Sequence, residues 1–189
     1  MQQCNLIIDK RQIKHLTQKK PTPPALKAQL KLHKKDIPIR PVTNNRTAPA
    51  YKLAKYLTKA LNHHITLNNH YNITNNHYNI TNNHYNITNY INLANDLIRI
   101  DISENHRLIT FDIQDLYVNV PIEETINITR QRLLHNNDSH TTQEMLALLT
   151  VVLNQNYFSF QQKIYQPNQG IAMGSPISGI IGEIFLQQY

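Results

Sequence analysis

The sequence predicts an α/β (α+β) chain, and three observations carry that expectation. Tyr51–Leu61 and Thr141–Leu153 place apolar residues at helical spacing. Short alternating stretches flank two polar turns, one at Lys34-Lys35-Asp36 and one at Gln161-Gln162, as in β-hairpins. Ile109, Phe111 and Ile113 alternate with polar residues, the pattern of a core strand.

The elements follow in order. Residues 1–20 are mixed and basic, with Leu6, Ile7, Ile13 and Leu16 as a sparse apolar set that suits one helix. Pro21, Pro23 and Pro24 end it in a stiff extended linker, so residues 1–23 read as a basic N-terminal segment. Ala25–Val42 reads as a hairpin turning at Lys34-Lys35-Asp36. Pro38 and Pro41 confine its second strand to a sheet edge. Leu53, Ala54, Leu57 and Leu61 give the next helix its inner face.

Residues 68–88 are three identical copies of Asn-Asn-His-Tyr-Asn-Ile-Thr. The period of seven suggests a coiled coil and His70, His77 and His84 suggest a metal tract, but Asn is a poor helix former. The tract reads best as a duplication in a loop that tolerates length. Tyr90–Ile100 resumes a helix, and Asp101–His106 a turn. Pro121 opens another helix, with Glu123 and Glu124 near its positive end, running to about Leu134. Thr141-Thr142-Gln143-Glu144 reads as a capping box, with Met145, Leu148, Leu149, Val152 and Leu153 inward. Tyr157–Phe160 and Lys163–Tyr165 form the second hairpin. Ser175 and Pro176 open a last helix over Ile177–Gln188.

The stretch that organises the reading is Ile109–Tyr117. Asp112 falls within the expected strand and Asp115 just beyond it. A carboxylate among apolar neighbours is costly unless its charge is compensated, and a divalent cation would compensate it. Asp112 is therefore the first candidate metal ligand. Asp115 reads either as a second site carboxylate or as a helix cap.

Composition narrows the function classes. The net charge is +7, and most of the Lys and Arg falls between Lys10 and Lys59. A basic front half points to a polyanionic partner, nucleic acid first; a merely solvated basic surface is the alternative. The single cysteine, Cys4, excludes an internal disulfide and is consistent with a reducing compartment. No apolar run approaches the roughly 18 residues of a membrane span, and the N-terminus has no signal-peptide pattern. The expectation is an intracellular protein, in nucleus or cytoplasm, with no membrane partner.

Four blocks together resemble the reverse transcriptase domain of retroelements, nearest to the non-LTR and Penelope-like kind. They are Lys34–Val42 with Arg40-Pro41-Val42; Phe111–Tyr117 (Phe-Asp-Ile-Gln-Asp-Leu-Tyr); Asn156–Pro167 (Asn-Tyr-Phe-Ser-Phe-Gln-Gln-Lys-Ile-Tyr-Gln-Pro); and Gln169-Gly170 with Met173-Gly174-Ser175-Pro176-Ile177-Ser178. They span roughly Pro24 to the end, apart from the repeats. The resemblance implies fingers over 24–100, with the repeats inserted at 68–88. It implies a partial palm over 101–189, with an antiparallel sheet and helices on one face.

The resemblance also implies roles. Asp112 matches the catalytic aspartate that binds two Mg²⁺, or Mn²⁺, and Ile113 the position whose carbonyl completes that metal site. Arg40 matches the fingers residue that clamps triphosphate oxygens. Asp115 lies near the incoming triphosphate, and Tyr117 matches the ring that excludes a ribose 2′-hydroxyl; as a residue, Tyr117 reads equally as a core aromatic. Gln169 and Gly170 match the loop lining the nucleotide pocket. Gly174, Ser175 and Pro176 match the turn beneath the template strand, and Lys34 would assist on the template. The implied partners are an RNA template, a DNA primer and a dNTP.

One departure stands out. The family's Tyr-x-Asp-Asp hairpin belongs after the last helix, and no Asp-Asp occurs anywhere in the sequence. The expectation is a fragment of an RNA-directed DNA polymerase (reverse transcriptase) of a retrotransposable element, truncated before that motif and inactive alone. Mg²⁺-dependent primer extension by the purified chain would overturn this. Two other classes compete: a non-catalytic nucleic-acid-binding remnant, and a metal-dependent phosphohydrolase, which usually shows Asp-x-Asp where this chain has Asp112 and Asp115 three apart.

Overall fold

The computed structural model describes residues 4–32, 35–67, 90–99, 109 and 113–188. The chain divides into two compact units, Met1–Leu67 with Asp115–Tyr189, and Asn68–Gln114. The fold is mixed α and β, as the pattern predicts.

The first unit is built on helices. Helix α1 covers Lys10–Leu16. Asp9 Oδ1 accepts from Gln12 N at 2.7 Å and Gln12 Oε1 accepts from Asp9 N at 2.9 Å, a reciprocal box that fixes where the helix starts. The expected helix is thus a single short one, and the chain before it supplies Cys4 and Ile8 to the core. Helix α2, Tyr51–His64, buries Leu53, Ala54, Leu57 and Leu61 along one stripe, the face its spacing predicts.

The remaining helices of this unit are α4, Leu116–Asn119; α5, Ile122–Asn136; α6, Ser139–Asn154; and α7, Ser178–Leu186. Leu57, Leu61, Leu133, Met145, Leu149, Ile181 and Ile184 are wholly excluded from solvent and form the centre of the core. Only Asn137 and Asp138 separate α5 from α6, and the two helices pack on each other.

Two helix starts differ from expectation. Helix α6 begins at Ser139, because Asp138 accepts from both His140 N and Thr141 N at 2.9 Å. Glu144 is therefore not a capping-box residue; its carboxylate accepts from Leu6 N at 2.9 Å and Ile7 N at 3.1 Å, tying down the N-terminal segment. Helix α7 begins at Ser178 rather than Ile177, since Ser175 and Pro176 lie in a preceding turn closed by Ser178 N donating to Ser175 O.

Four strands form one sheet in the order β2-β1-β3-β4. They are β1, Ala25–Leu30; β2, Ile39–Asn44; β3, Phe158–Phe160; and β4, Lys163–Tyr165. β1 and β2 pair antiparallel with Leu26 opposite Thr43 and Gln29 opposite Arg40, which makes the proline-bearing strand an edge as expected. β3 and β4 pair antiparallel across Gln161 and Gln162, both left-handed, at φ 48° and 63°. The sheet is mixed rather than wholly antiparallel: β1 runs parallel to β3 at Ala25 and Ser159, and Ser159 N donates to Pro24 O at 2.7 Å. The helices between β1 and β3 give the chain length to return in the same direction.

In the second unit, α3 covers Tyr90–Ile98, with Leu97 half-buried and Ile98 exposed. The expected core strand is corrected at its ends. Ile109 and Ile113 are 66 % and 55 % exposed and neither belongs to a strand. Alternation predicts burial only where the rest of the fold covers the apolar face, and neither Ile109 nor Ile113 is covered in that way. The turn at Gln114-Asp115 instead leads straight into α4. Residues 110–112, the repeats at 68–88 with their histidines, and the turn at 101–106 lie outside the described residues.

No helix among the described residues is long and apolar enough to cross a membrane.

Candidate functional site

The loop from Gln169 to Pro176 is the point where distant parts of the first unit converge. It is anchored at three places. At its start, Ile171 N donates to Tyr117 O at 2.7 Å. From the opposite side, Asn156 Nδ2 donates to Gly170 O at 2.7 Å. Further on, Met173 O accepts from Thr43 N at 2.8 Å and from Thr43 Oγ1 at 3.0 Å. Thr43 is itself steadied by buried Asn45, whose Nδ2 donates to Thr43 Oγ1 at 2.7 Å.

Two glycines make these approaches feasible. Gly170 has φ +80°, and a Cβ there would lie 2.4 Å from Val118 O. Gly174 has φ +111°, and a Cβ there would lie 2.3 Å from Thr43 O. Both positions demand a left-handed backbone pressed against another backbone, which only glycine allows. The Met173-Gly174 segment thereby covers the free edge of β2, whose Thr43 N–H would otherwise be an unpaired donor.

The expected site residues sort clearly. Tyr117 is half-buried, its carbonyl on the loop and its ring edge 3.5 Å from where a Gly182 Cβ would sit on α7. Both readings of Tyr117 remain compatible with this: it packs against the core and borders the loop. Arg40 is exposed on β2, three residues before Thr43, hence about 10 Å along the strand from the loop's anchor. The register places Arg40, Val42 and Asn44 on one face with Lys27 and Gln29 of β1. Gln169 is exposed and Gly170 buried; Gly174 is exposed, and Ser175 and Pro176 are half-buried, with Pro176 O accepting from Thr58 Oγ1 at 3.2 Å.

Asp115 is exposed and left-handed, at φ 52° and ψ 39°. It stands at the start of α4 without a side-chain capping bond, so the cap alternative fails. Asp112 and Lys34 lie outside the described residues, and Ile113 belongs to the second unit. Among the described residues no three His, Cys, Asp or Glu side chains form a group that could hold a metal ion. The described part of the chain therefore offers no metal site of its own, and the metal reading stands on Asp112 alone.

Behind the loop lies a narrow cleft of about 30 Å³, lined by Asn45, Tyr51, Gln155, Asn156 and Ser175 among others. That is space for one water, far below the roughly 300 Å³ a nucleotide-sized ligand needs. Gln155 Oε1 is buried without a partner at this cleft's wall. The open surface of the loop, not the cleft, is where a large ligand could sit.

Sequence reasoning overlooked Thr43, Asn45 and Asn156 as supports. Asn156 carried one signal, as the first residue of a motif block; Thr43 and Asn45 look like any polar pair after a strand.

No family model matches the chain, and neither does any curated protein or solved structure.

Proposed function

We propose that this chain is the fingers-and-palm portion of an RNA-directed DNA polymerase of a retrotransposable element, handling an RNA template, a DNA primer and a dNTP. One observation carries the reading: the loop of the fourth block is held by the last residue of the second block, by the first residue of the third and by the residue that follows the first block. Gln169–Pro176 is hydrogen-bonded to Tyr117 of the second block, to Asn156 of the third, and to Thr43, next to the first block's Val42. Core packing brings these segments together, and the resemblance gives the loop they support a ligand to hold.

On this reading Arg40 takes triphosphate oxygens in its guanidinium fork. The Tyr117 ring faces the sugar. Gln169 and Gly170 take the nascent base pair, and Gly174, Ser175 and Pro176 the template backbone. Lys27 and Arg40 on one face of the β1–β2 hairpin, together with Lys34, hold phosphates without reading sequence. Asp112 takes Mg²⁺ or Mn²⁺, and the protein works inside the cell, in nucleus or cytoplasm.

A second reading is a nucleic-acid-binding protein without chemistry. The exposed basic face of the hairpin favours it. Fluorescence anisotropy of a labelled primer–template separates the two. A polymerase portion binds with a steep salt dependence and binds more tightly when the complementary dNTP is added with Mg²⁺. Arg40→Ala and Asp112→Asn each abolish the dNTP effect. Salt-dependent binding indifferent to dNTP selects the second reading, and absence of binding at 50 mM salt sinks both.

A further inference from the structure

The peptide group joining Gly170 to Ile171 is held at both ends. Its C=O accepts from Asn156 Nδ2 at 2.7 Å, and its N–H donates to Tyr117 O at 2.7 Å. In a trans peptide these two groups point in opposite directions, so one rigid plane links the Asn156 side chain to the Tyr117 backbone. The chain of bonds runs from Asn156 N–H to Gly170 C=O, and from Ile171 N–H to Tyr117 C=O. Bonds in such a series polarise one another. Gly170 itself, with its free backbone, would let this plane rotate.

We infer that Asn156 is a positioning residue: its amide fixes the Gly170–Ile171 peptide plane and, through it, the place of Tyr117. Its own position is well determined. It follows the end of α6, whose Val152 and Leu153 are in the core, and only Tyr157 separates it from β3. The orientation of its amide is forced, because Gly170 O accepts and only the NH₂ end of Asn156 donates. Gly170 is buried and its bond to Asn156 is part-buried, so losing the donor leaves the carbonyl short of a partner. The inference concerns geometry first. Its meaning for nucleotide choice rests on the reading of Tyr117 as the residue facing the sugar.

The test uses the whole chain and two variants. Asn156→Ala deletes the donor. Asn156→Asp keeps shape and volume but turns a carboxylate oxygen toward the carbonyl, so it should be the worse of the two. Hydrogen exchange at the Ile171 amide reads the clamp directly, with the Leu149 amide of α6 as the core reference. The expected result is a loss of Ile171 protection of at least about tenfold in Asn156→Ala, larger in Asn156→Asp, with Leu149 unchanged. Unchanged protection at Ile171 overturns the proposal, and so does an equal fall at Leu149, which would mark plain destabilisation.

Titration of a primer–template complex with dNTP and with the matching ribonucleotide gives the second readout. The wild-type preference for dNTP should fall toward parity in both variants. A clamp that loosens while the preference stays intact overturns the role given to Asn156. If the wild type binds no nucleotide while Ile171 loosens selectively, the positioning by Asn156 stands and the polymerase reading falls.

Discussion

Replacing Gly170 by alanine should cost about 3 kcal/mol of stability. The added carbon would sit 2.4 Å from Val118 O, 2.5 Å from Val118 C and 2.6 Å from Val118 Cα. All three are backbone atoms, so no rotamer relieves the overlap. Ordinary contact begins near 3.4 Å, and the loop would have to retreat by about 1 Å. That retreat stretches the 2.7 Å Ile171–Tyr117 bond past hydrogen-bonding range and drives Gly170 O against Asn156, so that the 2.7 Å bond between them loses its geometry. Two lost bonds at about 1 kcal/mol each, and about 1 kcal/mol for a left-handed alanine, give the sum. Such a loss is a large share of the roughly 5–15 kcal/mol typical of a domain. Urea denaturation of the wild type and Gly170→Ala measures it. Gly179→Ala is the internal control: nothing lies within 4 Å of its Cβ, and α7 should gain up to about 1 kcal/mol from the better helix former. A Gly170→Ala protein within about 1 kcal/mol of wild type would refute the account of this loop.

Three further outcomes are expected. Gln162→Gly in the β3–β4 turn should stabilise by about 1 kcal/mol, since φ 63° strains any side-chain-bearing residue and two left-handed positions define the hairpin turn; thermal melts check it. Glu144→Ala removes the acceptor of two backbone N–H groups and should cost about 2 kcal/mol. It should also speed labelling of Cys4, which is buried and whose thiol is pushed up by that burial, as timed with a thiol reagent. Asp138 is held below the usual carboxylate range, first by the Thr141 hydroxyl and then by backbone N–H groups of Thr141 and His140. Its contribution is therefore fully present above the ordinary aspartate pKa near 3.9 and is lost as pH falls through the lower folded-state value. Asp138→Asn, still a good cap, should leave stability at pH 7 nearly unchanged and flatten the acid limb of the stability curve.

The helices and hairpins were readable because their signals are local. The stripe of Leu53, Ala54, Leu57 and Leu61, the doublet Gln161-Gln162, and Pro121 followed by Glu123 and Glu124 each act within a few residues. Errors arose where a local signal had a stronger neighbour or needed a distant partner. Thr141–Glu144 has the form of a capping box, but Asp138 caps the helix first and leaves Glu144 free to hold Leu6 and Ile7. Ile109 and Ile113 alternate as strand residues do, yet they are exposed, because burial depends on what the rest of the chain packs against them.

By itself the order of residues determined where the chain turns, which helical faces are apolar, and that its only glycines cluster between 170 and 182. Tertiary structure alone decided what those glycines are for. Gly170 and Gly174 are required because Val118 and Thr43 press on them, and those pairs are brought together by core packing that no window of neighbouring residues records. It likewise gave Asn156 its partner: a side-chain amide can satisfy a buried carbonyl fourteen residues on only when the fold places the two within a bond length of one another.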